Sequence, residues 1–133
     1  MKGYTRSEHA CKCGCGFDTV DYELDMVMDD IRQHFNQRVF INRGCSCVKH
    51  NDAIQLEYNP HYVAGTSDSQ HIYAKACDFR VENVHEDEVV KYLDYKYPDK
   101  YGIGRYNGRT HIDVKSGYAR RWDKRKTYVN ERL

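Results

Sequence analysis

Residues 101–115 read Tyr101-Gly-Ile-Gly-Arg-Tyr-Asn-Gly-Arg-Thr-His-Ile-Asp-Val-Lys115. Two short runs of strand-forming residues flank Asn107-Gly108, a dipeptide suited to a two-residue hairpin turn, here expected as type I′. On the second strand His111 and Asp113 are two apart and share a face, while Ile112 and Val114 share the other. One face of this hairpin therefore enters a core and the other carries an imidazole beside a carboxylate. Upstream, Ala76 to Val81 alternates in the same way. Cys77, Phe79 and Val81 lie on the apolar side, and Asp78 lies opposite them.

Working outward, two amphipathic helices are predicted. Val20, Leu24, Val27, Ile31 and Phe35 recur at steps of three and four, with Asp18 or Thr19 as N-cap and an end near Asn36. Glu86 to Tyr97 carries a second stripe of Val89, Val90, Leu93 and Tyr97, closed by Pro98. Val39 to Ile41 reads as a short strand. Residues 42–70 show little periodicity and are expected as a long, functional loop. The expected fold is α+β: one small domain over residues 1–133, an antiparallel sheet packed against two helices, with the face that carries Asp78 and His111 turned away from them as the site face. Residues 1–18 are an irregular, cysteine-rich segment and residues 123–133 a polar, basic tail.

The chain has 133 residues, with 21 basic and 20 acidic side chains and a net charge of +1. That balance gives no reason to expect nucleic acid or an anionic membrane as partner. The first residues lack the apolar run of a signal peptide. The expectation is a monomer made in the cytoplasm that reaches any external substrate by another route.

His71, Asp78 and His111 together offer two imidazoles and a carboxylate, the ligand set of an open, catalytic zinc site. Three protein ligands leave room for water, whose pKa zinc lowers. A carboxylate nearby is needed to move protons, and Asp113 is the local candidate, either as base or as a partner that orients an imidazole. Six cysteines fall as Cys11, Cys13, Cys15, Cys45, Cys47 and Cys77. Reduced thiols, disulfides and a second, structural zinc are three open readings. A redox or metal role for the cysteine-rich N-terminus is a distinct, further hypothesis.

Ser69-Gln-His71, Ala76-Cys-Asp78, Gly102-Ile-Gly-Arg-Tyr106, His111-Ile-Asp-Val114 and Ala119-Arg-Arg-Trp122 occur in that order. With Cys11-Lys-Cys-Gly-Cys-Gly-Phe17 and His50-Asn51, this set resembles the M15 peptidases over about residues 8–122. These are zinc D-Ala-D-Ala carboxypeptidases and peptidoglycan endopeptidases, and the resemblance is closest to the small branch common in bacteriophages. It implies His71, Asp78 and His111 as zinc ligands and a peptidoglycan stem peptide as substrate. It also implies a phage-type lytic enzyme, or a virion-associated one, acting at the bacterial cell wall.

Two positions depart from the pattern. Many relatives carry an acidic residue three before the last zinc histidine, where this chain has Gly108. Many also carry an arginine where this chain has Ser46, and Arg43 is the nearby cation. Arg43, Ser46, Ser69 and Tyr106 are the candidate substrate-binding residues, with Tyr106 a possible oxyanion donor. The departures motivate a second reading, a zinc-stabilised binding or virion module that has lost catalysis.

Overall fold

Alternation along Ala76–Val81 produces a central strand whose Cys77 and Phe79 are fully buried. The computed structural model describes residues 6–125. Nine elements follow in order: α1 (Arg6–His9), α2 (Tyr22–Phe35), β1 (Val39–Arg43), α3 (Val48–Tyr58), β2 (Ala76–Val81), α4 (Glu86–Lys96), β3 (Gly102–Tyr106), β4 (Arg109–Asp113) and β5 (Arg120–Asp123). The five strands form one sheet in the order β1-β2-β4-β3-β5. The fold is α+β as expected. The sheet is mixed, however, because β5 runs parallel to β3 while the other pairings are antiparallel.

The two expected helices cover one face. In α2 the buried stripe is Leu24, Val27, Met28 and Ile31. Its N-cap is Asp21, later than predicted, with the carboxylate accepting from the amides of Glu23 (2.9 Å) and Leu24 (3.3 Å). Asn36 ends it in the left-handed region, at φ 51°, a conformation asparagine tolerates. In α4, Glu86, Asp87 and Glu88 fill the first turn, where the helix dipole favours negative charge. Val89, Val90 and Leu93 pack with the α2 stripe against Phe79, Ile103 and Ile112 in a single core.

Two further helices and one strand were not expected. Helix α3 occupies part of the predicted long loop, with Cys47 as its N-cap. It buries only Asn51, so no apolar stripe announces it. Strand β5, Arg120–Asp123, runs into the start of the segment read as a polar, basic tail. Asp123 closes that strand, the amide of Lys124 donates to the carbonyl of Arg105, and Arg125 pairs with Asp123 and Asp87. The rest of the expected tail, 126–133, lies outside the described residues. The β3–β4 turn uses Asn107-Gly108, but of the two only Gly108 has positive φ, 76°. It is therefore not the expected type I′ turn. Among the described residues no helix is long and apolar enough to cross a membrane.

Candidate metal centre

The pairing register draws one row of residues across the whole sheet. Arg43 is opposite Asp78, Asp78 opposite His111, His111 opposite Gly104, and Gly104 opposite Trp122. One step along, Ala76, Asp113, Gly102 and Arg120 form a second row. Both rows are on the face away from the helical core. A bulge at Asn42 shifts β1 by one residue and sets Arg43 against Asp78, the re-aiming that bulges commonly perform beside functional sites.

His71 arrives from the loop before β2. Its Nδ1 donates to the carbonyl of Gly44 at 2.6 Å, which leaves Nε2 with its lone pair 3.4 Å from Asp78 Oδ2. That separation is about the edge of a zinc tetrahedron with nitrogen and oxygen ligands. Asp78 Oδ1 is 2.8 Å from His111 Nδ1, and the other nitrogen of His111 is 2.9 Å from Asp113 Oδ2. One ligand atom from each of His71, Asp78 and His111 lies within 4.8 Å of the others. The donor set, its burial and the fixed tautomer of His71 all fit a divalent metal.

Charge follows the geometry. Burial raises the pKa of Asp78, but the hydrogen bond from His111, with His71 close by, outweighs it and holds the carboxyl well below its ordinary range. Burial likewise opposes ionisation of Asp113, and its bonds to His111 and Arg120 again win. His111 is pushed down by burial and, more strongly, up by Asp113 and Asp78. Asp113 is 2% exposed. Both its oxygens are gripped by Arg120, one of them at 3.2 Å from Nη1. It stands behind His111, in the place of a residue that orients the imidazole.

A cleft of about 540 Å³ opens beside the row, lined by Arg43, Glu57, Tyr58, Asp78, Tyr106 and Arg109 among others. Arg43 reaches it while donating to Ser46 Oγ (3.1 Å) and Asn51 Oδ1 (2.9 Å). Ser46 is buried, and its amide donates to the carbonyl of His71 at 3.0 Å. Ser69 Oγ accepts from the amide of His71 at 3.3 Å. Tyr106 accepts from Trp122 Nε1 at 2.9 Å, and the Arg109 guanidinium lies over its ring. The candidate residues thus sort by place. Arg43 and Tyr106 line the cleft with Asp78, whereas Ser46 and Ser69 brace the chain around Arg43 and His71.

Three contributors lay within the segments that carry the resemblance but were not among the candidate site residues. Arg120 holds Asp113. Trp122 packs its ring 5.1 Å from that of His111, over Gly104, where a Cβ would collide with the indole. Asn51 fixes Arg43. The Arg-Arg-Trp segment was visible only as part of a resemblance, because a four-residue strand paired in parallel with a distant partner leaves no local pattern.

A family model, Peptidase M15, matches residues 2–113. No curated protein and no solved structure matches the chain. The matched span contains His71, Asp78, His111 and the strands that align them, and the chain belongs to the Peptidase M15 family.

Proposed function

We propose that the protein is a zinc peptidase that hydrolyses an amide bond in bacterial peptidoglycan stem peptides. The observation that carries this reading is the row Arg43–Asp78–His111, with His71 beside it, opening into a cleft whose charged lining is Arg43, Arg109, Glu57 and Asp78. When bound by His71, Asp78 and His111, zinc supplies Lewis acidity towards water and a substrate carbonyl. The protein's own groups do the rest. The carbonyl of Gly44 fixes the tautomer of His71, and the Asp113–Arg120 pair fixes that of His111. Arg43, charged and already held by Ser46 and Asn51, is preorganised to meet a substrate carboxylate or a developing oxyanion. Tyr106 accepts from Trp122, so its own hydroxyl proton is available for donation into the cleft.

Proton transfer is assigned to Glu57 rather than Asp113. Glu57 lines the cleft with Asp78, while Asp113 is buried and committed to Arg120 and His111. Arg43 and Arg109 in the cleft wall offer partners for the carboxylates of stem peptides. The reading extends to a lytic enzyme of phage type acting at the cell wall as a monomer, without nucleic acid or membrane.

The test is digestion of purified peptidoglycan, with mass spectrometry of the released fragments, with and without a chelator. Cleavage at one amide bond next to a D-amino acid, lost with chelator and restored by zinc, is expected. Intact fragments after incubation with folded, zinc-loaded protein would overturn the reading. Retained binding to the wall in that case would favour the non-catalytic module.

A further inference from the structure

Alternate residues of an extended strand lie about 6.8 Å apart, yet Cys11 Sγ is 3.4 Å from Cys13 Sγ. The chain folds back on itself here. Gly14 and Gly16 take positive φ, 80° and 93°, and the amide of Cys11 donates to the carbonyl of Phe17 at 2.8 Å. Cys47 comes in from the start of α3, its Sγ 3.8 Å from that of Cys11 and 3.6 Å from that of Cys13. Cys15 completes the group, all four sulfurs lying within 4.8 Å of one another. None of the four is in a disulfide. Sulfurs around a tetrahedral zinc are about 3.8 Å apart, given bonds of about 2.3 Å.

The remaining cysteines are sorted differently. Cys45 donates its thiol proton towards the carbonyls of His9 and Phe17, at 3.2 and 3.1 Å. Cys77 is in the core. In the cluster the sulfurs are instead acceptors of backbone amides, Cys47 N to Cys11 Sγ and His50 N to Cys47 Sγ, both 3.4 Å. Amide donors directed at sulfur favour the thiolate, the form that binds metal.

We infer that Cys11, Cys13, Cys15 and Cys47 bind a second zinc ion, in a closed, structural site separate from the His71–Asp78–His111 centre. Four thiolates in tetrahedral array select a soft or borderline cation such as zinc and leave no open position for chemistry. The consequence is mechanical. The site ties the N-terminal segment to the first residue before α3, and Gly44 and Ser46, which hold His71, lie within three residues of Cys47. A small domain gains more from such a staple than a large one. The inference does not depend on what the catalytic centre cleaves.

The experiment is metal analysis of the full chain purified under reducing conditions. Two zinc ions per chain are expected for the native protein and one for a His71→Ala/His111→Ala variant. Loaded with cobalt(II), that double variant should still show intense thiolate-to-cobalt charge-transfer absorption, and a further Cys13→Ser change should weaken it. A double variant that binds no metal, or binds cobalt without that absorption, overturns the site. So does a native, non-reduced mass lowered by the hydrogens lost to disulfides among these four cysteines.

Discussion

Arg120 grips both carboxylate oxygens of Asp113, and Asp113 in turn holds His111 by its Nε2. The pair lies side by side with the metal centre in the second row of the sheet. Gly102, between them, has no side chain, and a Cβ there would run into both groups.

Replacing Asp113 with Asn, or Arg120 with Met, should therefore weaken metal binding without removing a ligand. A loss of roughly 10–100-fold in affinity is expected, as for other groups that orient a ligating histidine. Competition with a chromophoric chelator measures it. An unchanged affinity in both variants would remove the orienting role.

Glu57→Gln should lower kcat at least tenfold and leave zinc content intact, in line with the usual contribution of a positioned proton-transfer group. Arg43→Met should cost about 10²–10³ in kcat/KM if the guanidinium meets developing charge. Steady-state kinetics on a synthetic stem peptide separates the two. Full activity in Glu57→Gln would return the search for a proton carrier to the rest of the cleft.

Gly104→Ala places a methyl group against the Trp122 indole. Overpacking of this kind costs about 1–3 kcal/mol. The same change combined with Trp122→Ala should recover part of that loss, a coupling that a double-mutant cycle in urea reports. Simple additivity would mean that the two residues do not share the space.

Asp30 anchors the far side of the molecule, accepting from Tyr92 Oη (2.7 Å), Lys96 Nζ (2.9 Å) and Tyr97 Oη (2.9 Å). Burial raises its pKa, but these donors lower it further, so the folded value is below the ordinary one. A depressed carboxylate stabilises the fold above its unfolded pKa of about 3.9 and loses that contribution as pH falls through the folded value. Stability measured by denaturant titration should fall more steeply below about pH 4 in the native protein than in Asp30→Asn. Parallel pH profiles would sink the assignment.

The legible parts of the sequence were those with a short-range repeat. The α2 and α4 stripes, the alternation of β2 and the Asn107-Gly108 hairpin each bury one face, and burial imposes period on sequence. His71, Asp78 and His111 stood out because ligand types are few. Helix α3 was illegible because it buries Asn51 rather than an apolar row. Arg120 and Trp122 were illegible as site residues because their partners, Asp113 and His111, lie across strands and far along the chain. The turn type also differed: Gly108 alone takes the left-handed conformation.

The single row from Arg43 to Trp122 makes strand pairing part of the metal chemistry. A slip of one residue between β2 and β4 would present Ile112 to the cleft and send His111 and Asp113 into the oil of the core. With a metal held as proposed, correct pairing and ion capture are one event. Zinc uptake during refolding would then be a clock for the moment at which strands drawn from four separate parts of the chain find their alignment.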